Sequence, residues 1–213
     1  MQKWTLTILS CLLIQACTPS PPIETNIPKA NAYWMGQHEC VTLVSLLRAA
    51  ALGNTALVDS FSTDVNLRIE TVDGFSRIRL AFGDSAMGKD KRLRNGTINL
   101  IADPGWPAEG TSAQIIPTDY RITSRSGKKG FLSASRWEVH GLAPASGTIP
   151  LLEHRPTGLR WQFDAIPITW NNSFQQAFLI GSNTPEIIDD LMLVECNSAI
   201  NLDNETVSFR VAP

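Results

Sequence analysis

Val65-Asn66-Leu67-Arg68-Ile69-Glu70-Thr71-Val72, then Asp73-Gly74, then Phe75-Ser76-Arg77-Ile78-Arg79-Leu80-Ala81-Phe82 is the stretch that decides the fold. Both arms alternate apolar and polar side chains, as strands covered on one face do. Asp73-Gly74 is a preferred two-residue hairpin turn, because both central residues must take positive φ. Folding there sets Ile69 opposite Ile78, Leu67 opposite Leu80 and Val65 opposite Phe82 on one face. Glu70 then meets Arg77 on the other face, where Arg68 against Arg79 is the one unfavourable pairing.

Short strand signals recur outward from this hairpin. Asn95-Gly96 precedes Thr97-Ile98-Asn99-Leu100-Ile101, and further strands are expected at Ser135–His140, Gly158–Phe163, Ile166–Trp170 and Thr206–Val211. Gly and Pro punctuate the gaps. Glu186–Leu191 reads as a short helical turn or an acidic strand edge. Before the hairpin, Leu43, Leu46, Leu47 and Ala50 fall at helical spacing, with Gly53 placed as a C-cap. One helix over Cys40–Leu52 is expected, packed on a sheet by its leucine face. The fold class is therefore mainly β, an antiparallel sandwich or barrel-like sheet with one N-terminal helix.

The chain has 213 residues, 43% hydrophobic and 18% charged, which suits one globular domain with a real core. At the N-terminus an apolar run behind Lys3 ends in Leu12-Leu13-Ile14-Gln15-Ala16-Cys17. It is too short to span a bilayer, and Thr18-Pro19-Ser20-Pro21-Pro22 stops it. Ile14, Ala16 and Cys17 occupy positions −3, −1 and +1 of a bacterial lipobox, and the run resembles a lipoprotein signal. Cleavage before Cys17 would leave that residue lipidated. Residues 1–16 are read as the signal peptide, 17–32 as the lipidated cysteine with a Pro-rich tether, and 33–213 as the single domain.

With Cys11 in the signal and Cys17 carrying lipid, Cys40 and Cys196 remain as a possible disulfide in an oxidising compartment. Two separate buried thiols fit the spacing equally well. The formal net charge of −2 and the lack of a basic block speak against nucleic acid as a partner. Lys89–Arg94 is the densest basic patch and reads as a solvated turn. His38, His140 and His154 are scattered without ligand spacing, so no metal site is expected, and no cofactor.

Phe82-Gly83-Asp84-Ser85-Ala86-Met87-Gly88 resembles the first block of GDS-type serine esterases, which would make Ser85 a catalytic nucleophile. The block continues into another strand rather than a helix, Gly181-Ser182-Asn183 is followed by Thr184, and neither His140 nor His154 has an aspartate three residues before it. A turn joining two strands accounts for Asp84 and Ser85 without chemistry. Asp84-Ser85-Ala86 also resembles the short O-glycosylation acceptor of exported Bacteroidetes proteins, which would place a glycan on Ser85. Trp106, within Pro104-Gly105-Trp106-Pro107, is the candidate exposed aromatic for stacking on a carbohydrate.

Ile78-Arg79-Leu80-Ala81-Phe82-Gly83-Asp84, Arg94-Asn95-Gly96-Thr97-Ile98, Asp119-Tyr120, Gly130, and Ile168-Thr169-Trp170 followed by Gly181 together resemble a family of uncharacterised exported lipoproteins of Bacteroidetes. Some relatives carry a cysteine after the Gly-Asp, where this chain has Ser85-Ala86. The resemblance implies a β-rich, membrane-anchored domain without assigned chemistry. The expected function is a membrane-anchored lipoprotein acting as a non-enzymatic binding or envelope-structural module. Its partners would be the membrane, through its lipid anchor, and a carbohydrate or envelope protein. The alternative is a hydrolase built on Ser85. Thr18 after Cys17 fits outer-membrane sorting within the bacterial envelope.

Overall fold

The structure is a computed structural model that describes the backbone of residues 27–142, 151–180, 191–202 and 205–211, with side chains described at 28–142, 152–155 and 157–170. Among the described residues, two helices, α1 (Ile27–Ala51) and α2 (Thr55–Phe61), precede ten strands. These are β1 (Asn66–Val72), β2 (Phe75–Ala81), β3 (Ala86–Met87), β4 (Leu93–Ala102), β5 (Ser112–Thr123), β6 (Lys129–Leu142), β7 (Leu151–Phe163), β8 (Ile166–Ile180), β9 (Leu191–Leu202) and β10 (Glu205–Val211). They form one sheet, ordered β1-β2-β4-β5-β6-β7-β8-β9-β10, with the short β3 paired on β4. Each pairing is antiparallel. The fold is mainly β, and among the described residues no ladder joins β1 to β10, so the sheet is not closed into a barrel. No described helix is long and apolar enough to cross a membrane.

The hairpin forms in the expected register, with Leu67 opposite Leu80, Ile69 opposite Ile78 and Glu70 opposite Arg77. Asp73 and Gly74 take φ of 53° and 83°, the positive values that the turn demands. Arg68 does stand opposite Arg79. Arg68 is engaged by Glu70 two residues along its own strand, which offsets part of the like-charge repulsion.

The N-terminal helix departs from expectation in extent and in burial. It starts at Ile27, inside the stretch read as tether, and runs to Ala51. Pro28 falls in its first turn, where a missing N–H costs no helical hydrogen bond, so the proline that suggested an extended chain is compatible with a helix start. From Thr42 to Leu47 every side chain is buried, not the leucine face alone. A helix buried all round must be enclosed, and the curled sheet encloses it. Gly53 ends it at φ 76°, as the C-cap reading required. The second, short helix α2 was not expected; Asn54 caps it by accepting from the Leu57 amide at 3.3 Å, and it buries Leu57, Val58 and Phe61.

Near its N-terminus α1 crosses β7 and β8 at Gly36. A Cβ there would lie 2.7 Å from Trp161 Cδ1 and 2.7 Å from Trp170 Cη2. The Trp161 indole N–H also donates to the Ala32 carbonyl at 3.0 Å, tying helix to sheet through a buried polar contact. Gly36→Ala sets two effects against each other. The helix gains about 1 kcal/mol of intrinsic propensity, whereas overpacking rigid indoles costs about 1–3 kcal/mol. The steric cost dominates, so Gly36→Ala is expected to lower stability in a denaturant titration. A more stable variant would show that the helix does not lie against these two rings.

Candidate functional site

The densest chemistry lies between α1 and the β3–β4 turn. Glu39 is fully buried on α1, within a segment otherwise rich in apolar and small side chains. A buried carboxylate needs a cation and several donors. Arg94 of β4 supplies the cation: its Nε is 2.8 Å from Glu39 Oε1, and its Nη2 is 2.9 Å from Oε2. The same guanidinium grips Asp90 through Nη1 to Oδ1 at 2.9 Å and Nη2 to Oδ2 at 2.7 Å. Tyr120 of β5 donates its hydroxyl to Glu39 Oε1 at 2.5 Å. The Phe61 ring lies under the guanidinium at 4.7 Å. Arg94 thus carries two bidentate carboxylates and one aromatic face, a geometry that only arginine's planar fork allows.

Local structure aims these groups. Gly96, at φ 90°, forms a bulge at which the β4–β5 register shifts by one residue. A Cβ at Gly96 would lie 2.4 Å from the Asp119 carbonyl oxygen, so the close approach requires glycine. Beyond the bulge Arg94 pairs with Ile122, and Arg94, Tyr120 and Ile122 all point into the interior. At Gly88 the space a Cβ would take is filled by Arg94 Nη1 and Asp90 Oδ1, each 2.6 Å away.

At the solvent edge Arg92 extends the cluster. Its Nη1 is 2.9 Å from His38 Nδ1 and 3.6 Å from Glu39 Oε2. Partial desolvation, then the Arg92 charge, push the His38 pKa below its ordinary value. Burial alone would raise the Asp90 carboxyl, but the Arg94 hydrogen bonds and charge outweigh it and hold the group low. For Tyr120, burial and then the Glu39 charge drive the phenol well up, so it stays a neutral donor. Donor atoms of His38, Glu39 and Asp90 lie within 4.8 Å of one another. Arg92 and Arg94 already stand as the cations among them, leaving the two carboxylates matched by two guanidiniums. The cluster is built to hold α1 in place.

The reading of Lys89–Arg94 as a solvated turn is therefore corrected. Lys89 and Lys91 are exposed, but Arg94 and Asp90 form the interior ion network. The missed signal was Glu39, a lone acid in an apolar helix, which demands a buried cation elsewhere in the chain.

The other sequence candidates are dispersed. Trp106 is 4% exposed, which removes the premise of a stacking platform there. Its loop folds back on β6, where Gly110 donates to the Gly141 carbonyl at 3.1 Å and Gly141 donates to the Thr111 carbonyl at 2.9 Å. Among the described residues the exposed tryptophan is Trp34, at 67%. Ser85 is exposed in the turn after Phe82, and among the described residues no histidine or carboxylate bonds it. His140 lies 3.9 Å from Glu138, as local pairing suggested, whereas Glu153 engages Arg155 rather than His154. Cys40 is a buried free thiol whose pKa is pushed up by burial and then by Glu39. Cys196 lies on β9 opposite Gln175 of β8, but its side chain lies outside the described residues, as does Cys17. Residues 186–190 lie outside them too, with β9 starting at Leu191.

A second feature lies on the opposite face of the sheet. A groove of about 710 Å³ runs across the outer face of β5–β7, lined by Arg121, Phe131 and Gln162 and flanked by Gly127, Lys128, Asp164 and Ala165.

Two outcomes follow from the interior. Arg94→Met leaves buried Glu39 with only Arg92, 3.6 Å away, as a cation, and a loss of about 3–5 kcal/mol is expected. Adding Glu39→Leu should restore part of it, giving a clear coupling energy in a double-mutant cycle read by urea unfolding. Additive losses would show that the two side chains do not pair. His154, buried against Trp137, is held at a pKa of about 4 by desolvation. Since the folded value lies below the unfolded one, stability is complete above about pH 6.5 and falls through the interval down to the folded pKa. The share is roughly 3 kcal/mol. His154→Leu should flatten this part of the profile between about pH 6.5 and pH 4, and an unchanged profile would remove His154 as its source. Comparison with known protein families, with curated proteins and with solved structures finds no match to this chain.

Proposed function

We propose that this chain is a bacterial lipoprotein, lipidated at Cys17 and held in the cell envelope at the outer membrane, where its domain serves as a non-enzymatic binding or envelope-structural module. The observation that carries the reading is the spacing of the lipobox and the core. Only residues 18–26 separate Cys17 from α1, and α1 is the helix locked inside the sheet by Arg94. A pull on the anchor would be borne by the domain's most deeply seated element. The resemblance to exported Bacteroidetes lipoproteins supports the same reading.

Binding rather than catalysis is favoured by how the reactive groups are used. The strongest acid–base constellation is internally matched and buried, and the open groove on the outer face is lined by side chains suited to holding a ligand.

Two or more acyl chains anchor a protein stably, whereas one is marginal. The wild-type chain, expressed in a bacterial host, is expected to take up radiolabelled palmitate and to sediment with membranes until detergent is added. Cys17→Ala should abolish labelling and leave residues 1–16 uncut, a precursor of higher mass. A Cys17→Ala chain that still takes up label, or a wild type without label, would contradict the anchor.

A further inference from the structure

The outer-face groove combines cationic side chains with an aromatic ring. Arg121 of β5, Phe131 of β6 and Gln162 of β7 stand in register across three strands, with Asn95 of β4 opposite Arg121. Their sequence neighbours Ile122, Leu132 and Trp161 are buried in the core, so this row faces outward. Lys128 is paired with Asp164 at 2.6 Å, which neutralises one wall. Among the described residues Arg121 and Lys129 have no carboxylate partner. The groove therefore carries two uncompensated cations in a chain whose net charge is −2.

Phe131 is 37% exposed, and the Arg121 guanidinium lies over its ring at 5.9 Å from the centroid. The part of the ring that stays exposed under this forked cation suits a ligand with an anionic head and an organic body. The guanidinium offers paired N–H donors that fit two oxygens of a phosphate. Lys129 adds a second, mobile charge, and Gln162 adds an amide with both donor and acceptor capacity. A volume of about 710 Å³ falls within the range of small-molecule sites.

We infer that this groove is a binding site for an organic phosphate ester, its phosphate taken by Arg121 and Lys129 and its organic part laid on Phe131. The inference deepens the binding-module reading and rests on it. The same chemistry is offered by a soluble phosphate ester and by a phospholipid headgroup in the membrane to which the domain would be tethered.

The test uses the mature chain, residues 17–213 carrying Cys17→Ala, so that neither the signal nor an acyl chain supplies an anchor. Calorimetric titration with glycerol 3-phosphate, with glycerol as the neutral control, reads the soluble source. Flotation with phosphatidylcholine vesicles, with and without phosphatidylglycerol, reads the lipid source. Saturable binding to either phosphate probe is expected, weakened at least about tenfold by Arg121→Glu and further by adding Lys129→Glu. Arg68→Glu makes the same kind of charge reversal away from the groove and should leave binding within about twofold of the parent. All three positions are exposed, and unchanged circular dichroism would show that the variants fold.

Binding only to phosphatidylglycerol vesicles assigns the lipid source, and binding to glycerol 3-phosphate assigns the soluble one. Absence of binding to both probes overturns the inference, as does a loss of equal size in Arg68→Glu, which would reduce the effect to overall charge. A lipidated, membrane-held wild type whose groove binds neither probe would lose this site and keep its anchor. A chain without lipid that binds the phosphate would lose the anchor and keep the site.

Discussion

The pairing of Arg94 with Glu39 is the constraint on which the rest of the structure depends. Two charges removed from water cost more than their attraction returns unless every donor and acceptor is matched. Here the matching is close to complete: Glu39 receives two guanidinium nitrogens and a phenol, and Arg94 spans two carboxylates over the Phe61 ring. Such a pair adds little net stability over well-packed hydrophobic side chains, but it tolerates no alternative register. Sliding α1 by one residue would strand both charges, so the pair specifies where the helix lies within the sheet.

That placement organises the core from both ends. Near its start α1 is fitted at Gly36 against Trp161 and Trp170, and midway it is pinned by Glu39. Toward its end the run from Thr42 to Leu47 is buried on all sides. The meander needs such an insert, because an unclosed sheet curling on itself would otherwise leave a large apolar face open to water. Helix and sheet each supply what the other lacks. The outer face, freed from packing duty, is where Arg121, Lys129 and Phe131 remain accessible.

Much of the sheet was legible because its signal is local. Alternation on both arms of the hairpin and the Asp73-Gly74 turn specify the β1–β2 register residue by residue. The expected strands at Ser135–His140, Gly158–Phe163 and Ile166–Trp170 are parts of much longer strands, since β6, β7 and β8 continue through polar and proline-containing stretches. β5 went unread because Pro117 and Asp119 interrupt its pattern, yet Asp119 sits at φ 51° beside the Gly96 bulge, where irregularity is part of the design. The start of α1 was hidden by Pro28, and the long-range partners were hidden altogether. Nothing near Arg94 in the sequence points to a glutamate 55 positions earlier. Trp106 misled for the opposite reason: a Pro-Gly-Trp-Pro turn reads as surface, and only the backbone bonding of its loop to β6 buries it.

Amide hydrogen exchange along α1 tests this view most directly. If the helix is enclosed and pinned, the amides of Leu43–Leu47 should exchange only through global unfolding, with the same opening free energy as the central strands β4 and β5. Exchange of that segment through a local opening of much lower free energy, with β4 and β5 still protected, would show that the helix is a peripheral attachment and that the buried ion pair does not hold the fold together.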